Sequence, residues 1–180
     1  PWCKITLFKE QLVDNKKINN KSIFFMKYNY IDIYNNLIEL TTNKNLYNGF
    51  NKQDTFSDRL IFFLFHFAFF LKVYKNEKNS DILQEIYDFN FRQLELTIRE
   101  VGYGDQSVNK KMKDYINLFH SIVSDIHYWD NYSKNEKKNK ISLLFDNLDE
   151  NDYLVDYFDD FKADLTKKNL NYFLKSVSNR

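Results

Sequence analysis

The chain contains almost nothing that stops a helix. Its one proline is Pro1, and its glycines are Gly49, Gly102 and Gly104. Proline and glycine are the strongest local punctuators of regular structure, so long segments run here without interruption. Within them apolar residues recur at spacings of three and four, and the strict alternation of a half-buried strand is hard to find. The chain is read as all-α.

The periodicity predicts a first helix from about Asn29 to Thr42, with Tyr30, Tyr34, Leu37, Ile38 and Thr41 on one side. A loop from Asn43 to Thr55 carries Gly49. Ser57 and Asp58 are expected to cap the next helix, over 58–74, because their oxygens accept from its free N–H groups. That helix is apolar on every side from Leu60 to Leu71, so it must be surrounded. A third helix is expected from Ser80–Asp81 to Val101, with Leu83, Tyr87, Phe91, Leu94, Ile98 and Val101 as its stripe. Gly102 ends it by supplying a positive φ. The segment Gly102–Ser107 reads as a tight turn, followed by a fourth helix to about Tyr132 facing inward through Val108, Met112, Tyr115, Ile116, Phe119, Ile122, Val123 and Ile126. Ser133–Lys140 reads as a Lys/Asn-rich linker, leading to Ile141–Leu148, and a last clear helix spans Asp152 to Lys168. The expected architecture is a single-domain bundle of about five to six helices around a central apolar helix, 58–74.

Composition narrows the function classes. With 43% hydrophobic residues and 26 basic against 25 acidic side chains, the chain is neither disordered nor a Gly/Pro-rich filament. A net charge of +1 gives no global attraction to nucleic acid or anionic lipid. Cys3, a single cysteine, forms no internal disulfide. Lys outnumbers Arg 22 to 4; with abundant Asn, Phe, Tyr and Ile this reads as an A/T-rich codon preference, which lowers the weight of any one Lys or Asn run. The most apolar stretch, Leu60–Leu71, has twelve residues, whereas a membrane-spanning helix needs about 20. Residues 1–28 are read as an N-terminal extension outside the domain, which covers 29–177. The first 25 residues hold no Arg and no small-residue cleavage site, so they resemble neither a transit peptide nor a secretory signal, and Met26 reads as a natural start.

Enzyme signatures are missing in an informative way. No Gly-rich run precedes a Lys-Ser/Thr pair, so there is no P-loop. The residues three before His66, His120 and His127 are Phe63, Asn117 and Ser124, which excludes the Glu-x-x-His pairs of a di-iron bundle. One Cys and no His-x-x-x-His pair give no zinc site. His120 and His127 share a side of the fourth helix and read as hydrogen-bonded residues flanking the core. His66, amid Phe residues, reads as a buried histidine bonded to a neighbour. Charge is segregated: eight acids and one Lys lie between Asp146 and Asp164, and seven Lys against four acids between Lys110 and Lys140. These are either solvated helix faces or edges that orient a partner.

The most unusual segment is Ile98-Arg99-Glu100-Val101-Gly102-Tyr103-Gly104-Asp105-Gln106-Ser107-Val108-Asn109-Lys110-Lys111-Met112-Lys113. A cation at Arg99 suits one helix's C-terminal end, and Asp105 and Ser107 suit the next one's N-terminal end. It reads as a capped corner or as a presented loop with charged flanks. Arg-Glu-apolar-Gly-x-Gly-Asp-x-Ser-Val, running on into Lys-Lys-Met-Lys, resembles the signature of the ubiquinol–cytochrome c chaperone family. Tyr34, Leu37–Ile38, Leu46–Tyr47, Asp54–Thr55, Arg59–Leu60, the helix with His66, Tyr87–Asp88 and Phe91 follow in the family's order, over roughly 30–170. Asn109 stands where the pattern has Gly, and the third helix lacks the family's Met/Asp-rich character.

The resemblance implies a non-enzymatic assembly factor for respiratory complex III, without cofactor, that binds newly made cytochrome b or another subunit of that complex. It implies a protein peripheral to the membrane, at the inner face of a bacterial cytoplasmic membrane or, alternatively, in the mitochondrial matrix. A small partner protein and the ribosome are further implied partners. Arg99, Glu100, Gly102, Gly104, Asp105, Ser107 and Val108 match the motif. With Lys110 they form the expected partner-binding set, in which Arg99, Asp105 and Lys110 are the expected contacts. The chaperone reading predicts an exposed apolar patch. Its rivals are a haem or quinone carrier built on the aromatic helices, and an enzyme of a class without a short motif, marked by clustered perturbed titratable groups.

Overall fold

The computed structural model describes residues 30–50, 55–145, 148 and 152–175. The expectations for the N-terminal extension, and for Asp54, Asp146–Asn147 and the chain beyond 175, lie outside those residues. Seven α-helices make up the described chain, with no strand among the described residues: α1 (Ile31–Thr41), α2 (Phe56–Tyr74), α3 (Ser80–Glu100), α4 (Asp105–His127), α5 (Lys134–Ser142), α6 (Asp152–Thr166) and α7 (Leu170–Lys175). A lone antiparallel bridge joins Phe50 and Leu148. The all-α expectation holds.

α2 begins two residues before the expected position. Thr55, rather than Ser57 or Asp58, is its N-cap. The Thr55 hydroxyl oxygen accepts from the Asp58 N–H at 3.2 Å, and the Asp58 carboxylate accepts from the Thr55 N–H at 3.2 Å. This reciprocal box satisfies two donors that no carbonyl within the helix can reach. From there every residue between Leu60 and Leu71 is buried. α1, α4 and α6 all pack against α2. Phe67 stacks on Phe119 of α4 at 5.3 Å, and Phe69 stacks on Phe158 of α6 at 5.6 Å. At the far end Lys72 donates to the Ile126 carbonyl at 2.9 Å, near the C-terminus of α4, and the Tyr74 hydroxyl donates to the Leu165 carbonyl of α6 at 2.8 Å.

The expected fourth helix stops earlier than Tyr132. α4 ends at His127, and a short 3₁₀ turn, Trp129–Asn131, turns the chain. That turn drops Trp129 into the core, fully buried, edge-on to Phe65 and Phe69. Its indole N–H donates to the Asp159 carboxylate of α6 at 2.7 Å.

The expected linker Ser133–Lys140 is instead most of a helix, α5. Ser133 caps it in a second reciprocal box with Glu136. Its lysines meet aspartates that recur along one face of α6: Lys134 with Asp156 at 2.6 Å, Lys137 with Asp159 at 2.8 Å, and Lys138 with Asp152. Lys140 pairs with Asp125 of α4 at 2.7 Å. Much of the charge segregation seen in the sequence is thus complementarity within the fold.

Thr55→Ala removes the cap and leaves Asp58 buried with one fewer partner. It is expected to lower unfolding stability by about 1 kcal/mol, read as a lower urea midpoint at unchanged slope.

Candidate functional site

α3 and α4 meet at a corner whose turn one residue makes without strain. Gly102 has φ +98°, a region other residues enter at a cost. Its N–H donates to the Arg99 carbonyl at 2.9 Å. Gly104 sits at φ −68°, ψ 156° and serves as the N-cap of α4 without a side chain. Asp105 and Ser107, expected within the turn, form the first turn of α4. There the Asp105 charge complements the helix's positive end.

Arg99 ties the corner together. Its Nε and Nη2 donate to Glu95 Oε1 at 3.0 and 2.7 Å, and its Nη1 donates to the Asp105 carboxylate across the turn. The Glu95 bond first, and the Asp105 bond with it, hold the guanidinium pKa above its ordinary value. Arg99 and Asp105, two of the expected partner contacts, therefore engage each other across the corner. Glu100, Ser107 and Lys110 are exposed along the same edge. Val108 is fully buried and faces the core. The corner thus brings the motif residues into one place, while Val108 supports it from beneath.

Beside these exposed polar groups the corner and the end of α3 also carry apolar side chains in solvent. Val101 is 63% exposed, Tyr103 45% and Leu96 44%. The inward stripe expected of α3 does not include Val101: it is the C-cap, still helical in its backbone with its N–H donating to the Thr97 carbonyl at 3.2 Å, and its side chain is exposed. Lys111 Nζ stands 4.5 Å above the Tyr103 ring, a cation–π contact. Tyr103, Leu96 and the outward turn of Val101 escaped the sequence reading. The available signals were Tyr103 lying between two glycines and Leu96 standing off the stripe.

The histidines fall elsewhere. His66 is fully buried; its Nδ1–H donates to the Phe62 carbonyl at 2.7 Å, and its Nε2 accepts from the Tyr157 hydroxyl at 2.8 Å. Both ring nitrogens are engaged, so the ring could ligate a haem iron only by giving one of these up. Burial drives its pKa down to about 4, against a weaker opposing effect of the Phe62 carbonyl. Burial likewise pushes the Tyr157 hydroxyl up to about 12, with Tyr153 adding to it. Together they form a neutral, hydrogen-bonded pair between α2 and α6. His127 is exposed and lines a cavity of about 270 Å³ with Lys72, Lys75, Asp130 and Asn131. Burial raises the Asp130 pKa, but bonds from Lys162 and Lys72 outweigh it and leave the carboxyl below its ordinary value. His120 is half-buried on α4. No group of three or more His, Cys, Asp or Glu among the described residues is arranged to hold a metal ion. No helix among them is long and apolar enough to cross a membrane.

The ubiquinol-cytochrome C chaperone family model matches residues 48–126. The match takes in all of α2, α3 and the corner and nearly all of α4. It bears out the resemblance over a narrower span than the expected 30–170, and that span is less than half of the chain. Neither curated proteins nor solved structures give a match to the chain.

Two outcomes follow from this geometry. A methyl group at Gly102 would meet nothing within 4 Å, so Gly102→Ala tests backbone conformation alone; a loss of about 1 kcal/mol in denaturant unfolding is expected. For His66 the folded pKa of about 4 lies below the ordinary 6.5, so the unfolded state binds the proton more tightly. Its contribution is complete above pH 6.5 and is lost as the pH falls toward 4, about 3 kcal/mol in all. Urea midpoints should fall between pH 6.5 and 5, and His66→Gln should flatten that fall.

Proposed function

We propose that this chain is a non-enzymatic assembly chaperone for respiratory complex III, and that its α3–α4 corner receives an apolar segment of a newly made subunit, cytochrome b foremost. The family match over residues 48–126 carries the reading. The corner supports it physically. Val101 and Tyr103 present apolar surface to solvent at the turn, and Leu96 does so on α3; exposed apolar surface is where interaction sites are sought. Lys110 and Lys111 flank them, and the Arg99 pairs hold the turn in shape. A rigid apolar tip with cationic flanks suits a client that is greasy over most of its length and is handed over at a membrane surface.

The place of action is the membrane face at which cytochrome b is inserted, the inner face of a bacterial cytoplasmic membrane in this reading. A small partner protein and the ribosome are the further partners that this reading brings with it. The chain does no chemistry on its client. It covers apolar surface until haem and neighbouring subunits take over.

The test is an affinity capture from native membranes with the wild-type chain and a Val101→Ser/Tyr103→Ser variant, checked for folding by far-UV circular dichroism. Cytochrome b should be retained by the wild type and lost by the variant. Retention by both would move the contact away from the corner. Absence of any complex III subunit from both, with a Soret band copurifying, would replace the chaperone by a haem carrier.

A further inference from the structure

Helix α5 is held down by charge as well as by burial. Of its nine residues, Lys-Asn-Glu-Lys-Lys-Asn-Lys-Ile-Ser, Ile141 is the apolar one and the buried one. A helix shorter than about 12 residues is marginal in water by itself. Four lysine–aspartate pairs bind it: three to α6 through Asp152, Asp156 and Asp159, and one to α4 through Asp125. Beneath it lies Trp129. Lys137 Nζ stands 5.2 Å over the indole ring, and the same lysine bonds both oxygens of Asp159 at 2.8 Å. Asp159 in turn accepts the Trp129 N–H. One carboxylate therefore joins the cover to what it covers.

We propose that α5 is an electrostatic strap over Trp129, which opens by local unfolding when its lysine–aspartate pairs are screened while the rest of the bundle stays folded. The chain on either side is anchored in the core, by Trp129 before it and by Ile141 and Phe145 at its end. The segment between can therefore lose its helix without leaving the molecule. The core packing around α2 is apolar and insensitive to salt, whereas exposed ion pairs weaken as the Debye length shortens. Low-stability segments of this kind open well before global unfolding. Opening uncovers the indole and the Asp159 carboxylate together. The inference rests on α5, its ion pairs to α6 and α4 and the Trp129 beneath it, and stands whether or not the corner binds cytochrome b.

Trp129 reports on its own cover. The chain has two tryptophans, Trp2 and Trp129, so Trp2→Phe leaves a single indole beneath the strap. Acrylamide quenching of that variant is measured between about 0.01 and 1 M KCl, over which the Debye length falls from roughly 30 to 3 Å. The quenching constant should at least double and the emission shift to the red, while far-UV circular dichroism retains the helical signal of the bundle. Adding Lys134→Gln, Lys137→Gln and Lys138→Gln should give the high-salt value already at low salt. An indole equally shielded across the salt series overturns the strap, whatever the lysine variant does. Opening by salt with a shielded indole in the folded lysine variant overturns the ion pairs as its hold. If that variant does not fold, hydrogen exchange of residues 134–142 in the Trp2→Phe chain decides: protection that is unchanged by salt overturns the proposal.

Discussion

Everything in this fold answers to one requirement, that a helix apolar on all sides be covered on all sides. An amphipathic helix needs one neighbour; α2 needs several, because no face of it can be left to water. α1, α4 and α6 meet that need, with rings of Phe, Tyr and Trp filling the space between them. The aromatic contacts are edge-to-face, tilted and stacked in turn, as expected where ring quadrupoles as well as shape decide the packing. Two of the polar groups inside this shell are fully engaged. Asp58 bonds within its own cap, and His66 spends both nitrogens on a carbonyl and a tyrosine hydroxyl. The fold contains a titratable pair at its centre that adds connection between α2 and α6 without adding charge.

Much of this was legible from residue spacing, and the failures share a physical cause. The four long helices announce themselves by apolar periodicity, and Gly102 announces the corner because a helix end so often needs a positive φ. The cap of α2 was misplaced because Thr55, Ser57 and Asp58 lie within four residues and all can cap; the choice falls to the one with a carboxylate three residues on that reaches back. α5 was missed although its Ser133–Glu136 capping box is a local signal, because the rest of its hold lies elsewhere. Its own residues show no apolar face, and its partners are aspartates of α6 and α4. Local patterns cannot reveal an element stabilised by a distant row of opposite charge, although the i, i+4, i+7 spacing of Asp152, Asp156 and Asp159 was on view.

The candidate site divides in the same way. Its position was legible, since two glycines within three residues and a charged residue on either side mark a corner. Its surface was not. Spacing assigned Val101 to the core stripe, and its backbone is still helical, but at the C-cap of the helix its side chain is left exposed. Arg99 and Asp105, expected as partner contacts, also pair with each other across the turn, while the Asp105 side chain stays 85% exposed. The Arg99 pairs brace the corner, and its outer surface is shared between exposed polar groups and the side chains of Val101 and Tyr103.

The covering of α2 also has an order in time. The hydroxyl that completes His66 belongs to Tyr157, 91 residues further along the chain. At a synthesis rate of roughly 5–20 residues per second, α2 leaves the ribosome something like 5 to 20 seconds before α6 exists to close over it. Until α4 emerges, the most apolar segment of the protein has α1 alone of these three helices for shelter, and until α6 emerges its cover is incomplete. A molecule whose proposed task is to shield unfinished membrane subunits thus passes through the same exposed condition during its own synthesis.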